Sequence, residues 1–506
     1  MDKKKSGINV AVAIVSKVIM VITSLVTRIL LVRVIGDVAN GVNSLFTSII
    51  GFLSVVELGI GSAIIFSMYK PIQQNDTKKI SALYHLYVKV YLIVGIIVLA
   101  FGLVLTPFLP YLVKDSVGGI NLYVGFIITL IGVLISYTFS AKTSLINAFK
   151  NNYVTSLIVF VSTIAADIFK IVCTCLFKSL YLYLGASILC AILQWLLSTI
   201  YVRKHYKEIL DIKSSLDDET KKEIVKNTKA MFCHKIGSVL VNTVDSVIIS
   251  AFIGIVVLGK YTNYVLIMTT MTGIINLFFT PMTAIVGHMF SEGDLKECQR
   301  VFGFLHTMNF IIGTVFFLGY YGIIDNIISI CFGSELVMGK EISFIITLNY
   351  FIQFMRVNVL MFRDASGTFY YDWWKPILEG ILNIILSIIF VQNFGVVGVI
   401  VATIITNLLI CLIVEPFVLF RYGFKTSPKK FYLKNYLFIL IFAVLLCLLH
   451  LTMFDIENTI LQLLANGFLA VGLACIPCLF VFIFDKNFRK SIFGLLAKIL
   501  KKNNNL

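Results

Sequence analysis

Charged side chains inside long apolar stretches are the residues of this chain best placed to bind a ligand. In the first stretch, Lys17 and Arg28 are eleven residues apart, which at 100° per residue places them about 20° apart around a helix. Ser24 lies on the same face, and Arg33 follows five residues after Arg28. A charge at the centre of a membrane span costs about 3 kcal/mol, so it tends to face a cavity or a partner. This stripe therefore predicts a cationic cavity that receives an anion.

Acidic side chains lie in the same kind of stretch. Glu57 is at a depth similar to that of Lys17, and Asp245 shares a polar helix face with Asn242. Both acids are candidates for coupling transport to a cation, because a carboxyl deep in an apolar span can exchange a proton or bind Na⁺. The alternative is that Glu57 only neutralises Lys17 and that Asp245 only completes a hydrogen-bond network. The sequence leaves both interpretations open.

Other embedded charges have simpler explanations. Asp167 and Lys170 are three residues apart, a spacing that predicts an ion pair on one helix face. Arg356 is close enough to the cytoplasmic end of its stretch for the side chain to reach the membrane surface. We keep it as a candidate anion-binding residue, because a guanidinium also matches phosphate oxygens.

The composition identifies the class of protein. Of 506 residues, 59% are apolar and 13% are charged, and the mean hydropathy is +0.95. In soluble proteins about 45–50% of the residues are apolar and about 25% are charged. This excludes a soluble enzyme, a nucleic-acid-binding protein and a secreted disulfide scaffold, despite a net charge of +16. The sequence has no P-loop, no G-x-S-x-G motif and no clustered His or Cys ligands. It therefore predicts no enzyme, no catalytic residue, no metal site and no cofactor beyond a coupling ion.

The apolar runs predict an all-α polytopic membrane protein of about fourteen transmembrane helices. With that count, 29 of the 42 Lys and Arg fall at the termini or in loops after even-numbered spans, and three fall in loops after odd-numbered spans. This excess predicts that both termini are cytoplasmic. The division is least clear within 376–420, where only Asn393, Phe394 and Gly395 separate two spans. The predicted spans are 8–35, 42–68, 86–108, 120–147, 153–177, 180–202, 229–253, 260–287, 301–323, 343–362, 376–393, 395–420, 435–453 and 460–484.

A repeated turn indicates how the helices are grouped. Gly36 and Gly41 follow the first span, and Gly254 and Gly259 follow the seventh with the same spacing. Six spans separate the two turns, and this even offset predicts two six-helix lobes related as a parallel repeat, followed by two more helices. The predicted regions are an N-lobe at 1–202, a cytoplasmic linker helix at 203–228, a C-lobe at 229–420, and 421–506 with the last two helices and a basic tail.

Several motifs, in order along nearly the whole chain, resemble Gram-positive-type polysaccharide flippases of the multidrug/oligosaccharidyl-lipid/polysaccharide exporter superfamily. These motifs are Arg28-Ile-Leu-Leu-Val-Arg-Val-Ile-Gly36, Glu57-Leu-Gly-Ile-Gly, Asp245-Ser-Val-Ile-Ile-Ser, Arg363-Asp-Ala-Ser-Gly367 and Trp374-Lys-Pro-Ile-Leu-Glu379. The resemblance implies a two-lobed transporter in the bacterial cell membrane. Its substrate would be an undecaprenyl-pyrophosphate-linked oligosaccharide repeat unit, moved from the inner to the outer leaflet for capsule, exopolysaccharide or O-antigen-type polysaccharide.

The implied substrate gives the embedded cations a role. The pyrophosphate would meet Arg28, Arg33, Lys17, Ser24 and Arg356, and the lipid tail would stay in the bilayer. The implied partners are membrane lipids, a polysaccharide polymerase and chain-length regulators. A multidrug or lipid II-type exporter of the same superfamily is the alternative. A membrane glycan polymerase or ligase is more remote, since it would need a large extracytoplasmic loop.

Overall fold

The computed structural model describes residues 3–54, 60–115, 117–212, 214, 216, 243–279, 282–484 and 488–489. The regular structure in these ranges is entirely helical, so the predicted all-α membrane fold is confirmed. The first nine helices are α1 Lys3–Leu30, α2 Asp37–Leu53, α3 Ile60–Gln73, α4 Thr77–Leu105, α5 Leu122–Ala148, α6 Asn152–Phe177, α7 Leu180–His205, α8 Lys207–Asp211 and α9 Thr243–Ile253. The others are α10 Ile255–Phe279, α11 Met282–Glu292, α12 Leu295–Cys331, α13 Lys340–Met355, α14 Val357–Ala365, α15 Lys375–Thr406, α16 Leu412–Val418, α17 Lys429–Thr452 and α18 Thr459–Phe484.

Ten helical segments in the described ranges are long and apolar enough to cross a membrane. One of them, Tyr370–Gly423, has 54 residues and would be about 80 Å long if straight, more than twice the thickness of a hydrocarbon core. It is broken at Gly395, whose φ of 56° and ψ of −135° are not helical. The predicted division of 376–420 at Asn393, Phe394 and Gly395 is therefore confirmed. Three further predicted spans, 42–68, 229–253 and 260–287, include residues outside the described ranges, so the count of fourteen stays a prediction.

The ninth span is longer than the sequence indicated. Its predicted end is residue 323, but α12 continues to Cys331. The polar residues Asp325 and Asn326 do not end the helix, because both side chains form hydrogen bonds with neighbouring helices.

The chain divides into two compact units, 1–260 and 261–506. In the first unit, small residues allow close helix packing: a Cβ on Gly125 would lie 2.9 Å from the Phe46 ring. In the second unit, the ring of Phe302 lies 5.1–5.6 Å from those of Phe362, Phe420, Phe424 and Phe431. The predicted region boundaries at 202, 228 and 420 stay predictions.

The repeated turn of the sequence has a repeated local geometry. The π-helical turns Leu31–Ile35 and Ile249–Ile253 end at Gly36 and Gly254, with φ of 117° and 145°. Only glycine adopts such angles readily. Within the first unit the two turns touch, since the Asn40 amide donates to the Gly259 carbonyl over 2.8 Å.

Candidate substrate-binding site

Arg28 is fixed at the end of α1 by the helix that follows. Its Nη2 donates to Ser44 Oγ over 2.6 Å, and Ser44 Oγ in turn donates to the Asn40 carbonyl over 2.8 Å. The turn at Gly36 makes this contact possible, because it folds α2 back beside α1. The Ser44 hydroxyl therefore holds one guanidinium nitrogen at a defined position beside α2. The Arg28 side chain is half-buried.

The other predicted members of the stripe are more exposed. The side chains of Lys17, Ser24 and Arg33 are exposed. Lys17 lies about 16 Å from Arg28 along the helix axis. The structure therefore places them on α1 and its terminal turn without gathering them around one point. Glu57, the proposed partner of Lys17, lies outside the described residues. Asp245 is half-buried in α9.

The predicted pair of Asp167 and Lys170 is confirmed. Lys170 Nζ lies 3.0 Å from Asp167 Oδ1, and Asp167 Oδ2 accepts a hydrogen bond of 2.8 Å from Thr23 Oγ1. Asp167 is only 2% exposed. Because Thr23 belongs to α1 and Asp167 to α6, this pair also fixes the helix that carries Arg28.

In the second unit, Arg356 belongs to a buried group that we call the ion cluster: Arg356, Lys375, Glu379 and Glu415. Arg356 donates to both carboxylate oxygens of Glu415, from Nη2 over 2.6 Å and from Nε over 3.1 Å, and also bonds to Asn407. Lys375 Nζ lies 2.6 Å from Glu415 Oε1 and 2.9 Å from Glu379 Oε2.

Membership of the ion cluster makes Arg356 a weaker candidate than Arg28 for binding an anion. Two cations face two carboxylates, so the cluster is neutral, and Glu415 already occupies the guanidinium fork that a phosphate would need. An anion could bind Arg356 only by displacing a buried carboxylate, which is costly. Arg356 is therefore poorly placed to bind an anionic ligand, and Arg28 stays a candidate predicted from the sequence.

Comparisons with known proteins identify the family of this chain. A family model described as "Polysaccharide biosynthesis protein" matches residues 6–284, more than half of the chain. The chain belongs to this family. No curated protein sequence matches it significantly.

Two solved structures show which fold this family member adopts. A lipid II flippase, MurJ, in an inward closed conformation aligns with a TM-score of 0.61 and 17% identity, covering 94% of this chain and 100% of that chain. An inward-facing multidrug resistance MATE family transporter of the MOP superfamily aligns with a TM-score of 0.61 and 13% identity, covering 82% and 99%. At these identities the likeness concerns the fold. Together with the family match, it makes the chain a multi-pass membrane flippase or exporter rather than an enzyme.

The sequence does not indicate that the four residues of the ion cluster lie together. Arg356 and Glu415 are 59 residues apart, and no local spacing rule links them. One signal was available: the predicted spans ten to twelve and the segment joining them contain embedded charges of both signs. Arg363 likewise pairs with Asp372, which is fully buried, over 2.6 Å.

Proposed function

We propose that this protein flips undecaprenyl-pyrophosphate-linked oligosaccharide repeat units from the inner to the outer leaflet of a bacterial cell membrane, for capsule or exopolysaccharide synthesis. The observation that carries the proposal is the position of Arg28, a half-buried guanidinium in the first predicted span whose Nη2 donates to the Ser44 hydroxyl. The polysaccharide biosynthesis family match supports a substrate that carries sugars.

The chemistry of this substrate suits the first unit. A pyrophosphate offers paired oxygens that a guanidinium binds through two parallel hydrogen bonds. Arg33 and Lys17 lie on the same helix or its terminal turn and would attract the anion at longer range. Serine and threonine hydroxyls of α1, including Ser24, provide hydrogen-bonding groups for the attached sugars.

Energy for the cycle would come from a cation gradient, either Na⁺ or H⁺, or from substrate supply, rather than from ATP. Glu57 and Asp245 are the coupling candidates from the sequence, since each lies in a predicted span. The proposal places both termini in the cytoplasm, as the distribution of basic residues predicts. A polysaccharide polymerase and chain-length regulators would then receive the product at the outer leaflet.

The proposal is tested by depleting the protein in cells that make the polysaccharide. Lipid-linked repeat units should accumulate in the inner leaflet, and restored expression of the wild-type chain should clear them. Unchanged levels of inner-leaflet repeat units in the depleted cells would contradict the proposal.

A second candidate is export of a peptidoglycan precursor. It is favoured by the fold alignment that spans the full length of the lipid II flippase. In that case, depletion would accumulate lipid II instead of the polysaccharide repeat unit. Measuring both lipids in the same extract decides between the two substrates.

A further inference from the structure

Asp325 of α12 joins three helices through one carboxylate oxygen. Tyr264 OH, on α10, donates to Asp325 Oδ1 over 2.8 Å. Ser343 Oγ, on α13, donates to the same oxygen over 2.5 Å. Asp325 lies six residues before the end of α12, about 9 Å along the axis, at the end predicted to face the outside.

This acid differs from the other buried acids in the described spans. Asp167, Asp372, Glu379 and Glu415 each have a basic nitrogen within 4.0 Å. Asp325 has no such partner among the residues that the structure describes, and it is bonded only by neutral hydroxyls. A membrane carboxylate without a cation is expensive to keep charged and marks a functional group.

The second oxygen of Asp325 is open to approach. The described residues make no hydrogen bond to Oδ2, and the side chain is only half-buried. Lys340 and Glu341, at the start of α13, act on Asp325 at longer range with opposite signs. The titratable groups around it are Tyr264, Tyr320, Tyr321, Lys340, Glu341 and, through Tyr321, His450.

We propose that Asp325 is a proton-exchange site of the transport cycle. This rests on the proposed function and deepens it, because it names H⁺ as a coupling ion and adds a site that the sequence did not reveal. Water on the predicted outer side delivers the proton to Oδ2, and in the opposite conformation of the transport cycle the same carboxyl releases it to water on the cytoplasmic side. Protonation weakens both hydroxyl contacts, since a neutral acceptor makes weaker hydrogen bonds than a carboxylate. Proton binding thus loosens the connection among α10, α12 and α13.

The hydrogen-bond pattern favours a proton over a metal cation. The Tyr264 oxygen already accepts from the Met338 backbone N–H over 3.0 Å and donates its own proton to Asp325. Ser343 also directs its hydroxyl proton at the carboxyl. A hard cation needs several oxygen ligands with free lone pairs. This site instead presents protons to the carboxylate.

Infrared spectroscopy on the full chain in lipid vesicles tests the site directly. The pH outside is lowered while the interior stays buffered, and the carbonyl band of protonated carboxyls is recorded. Asp325→Asn preserves an oxygen that accepts from Tyr264 and Ser343, and it should remove one titrating carboxyl relative to the wild type. Asp455→Asn, an exposed acid on the same predicted side, is the matched control and should leave the Asp325 band in place. Identical titrations of wild type and Asp325→Asn would overturn the inference.

Tyr264→Phe is a second variant that tests the site even if Asp325→Asn does not fold. It keeps the carboxyl but removes one donor, so the band should persist at a shifted frequency. An unshifted band in Tyr264→Phe would also count against the site.

A transport measurement separates this inference from the proposed function. The probe is a fluorescent undecaprenyl-pyrophosphate oligosaccharide in vesicles with an imposed pH gradient. Asp325→Asn should still flip the probe without a gradient, and an imposed pH gradient should not change its rate, whereas it changes the rate of the wild type. A retained gradient response would overturn the inference. If the wild type does not flip the probe, the substrate proposal fails, and the infrared titration still decides the role of Asp325.

Discussion

Removing Arg356 from the ion cluster should destabilise the second unit strongly. Arg356→Met keeps an apolar chain of similar length but leaves Lys375 alone against two buried carboxylates, Glu379 and Glu415. Breaking a buried ion pair by removing one partner costs about 3–5 kcal/mol, because the remaining charge stays desolvated. Glu415 is only 1% exposed in its side chain, so solvent gives little relief. We therefore expect a loss of about 4 kcal/mol in the free energy of unfolding.

A double variant tests whether charge balance is the cause. Arg356→Met combined with Glu415→Gln restores neutrality, because Lys375 and Glu379 remain paired over 2.9 Å. The double variant should be more stable than the sum of the single losses predicts, by about 2 kcal/mol, in the range typical of directly interacting residues.

Thermal unfolding of the purified protein measures both effects. For a unit of this size, each kcal/mol shifts Tm by roughly 2–4 °C, so Arg356→Met should lower Tm by roughly 12 °C. The matched control is Arg300→Met, which breaks an exposed pair with Glu297 at 3.3 Å and should cost under about 1 kcal/mol. Equal Tm values for Arg356→Met and Arg300→Met would refute the reasoning, as would strict additivity in the double variant.

Three further outcomes follow from the turns, the predicted topology and the first unit. Gly41→Ala should reduce the yield of folded protein, because the added Cβ would collide with the Ile255 carbonyl; Gly273→Ala, which meets no neighbour, is the control for size-exclusion profiles. In a background without the ten native cysteines, Glu457→Cys should react with an impermeant thiol reagent from outside, whereas Lys425→Cys should react only after permeabilisation. Asp167→Asn should lower Tm by roughly 5 °C or more, since it leaves the amine of Lys170 facing a neutral amide; an unchanged Tm would show that the pair is not structural.

The features predicted from sequence were those with local causes. Gly395 separates two spans because its own backbone angles break the helix, and the adjoining Asn393 and Phe394 already marked the site. Asp167 and Lys170 were recognised as a pair because they lie one helical turn apart. In both cases the information lies within a few residues.

Features that depend on tertiary packing were not accessible in this way. The predicted span limits place Asp325 in an outer loop between 323 and 343, since a polar residue ordinarily ends an apolar run. Its hydroxyl partners, Tyr264 and Ser343, come from other helices, and they make a charged residue tolerable inside α12. Arg356 was grouped with Arg28 for a similar reason: the carboxylate that occupies its guanidinium becomes adjacent only after folding.

The role of Arg28 as the pyrophosphate-binding residue is tested most directly by the rate at which Arg28 variants flip the substrate in vesicles. Arg28→Ala should reduce flipping of a labelled undecaprenyl-pyrophosphate oligosaccharide by at least about tenfold, corresponding to about 1.4 kcal/mol or more of lost interaction. Arg28→Lys should recover only part of the rate, because a point charge cannot form the paired hydrogen bonds of a guanidinium. Arg203→Ala, which removes an exposed cation from the last turn of α7, should flip at the wild-type rate. Wild-type flipping by Arg28→Ala would contradict the account.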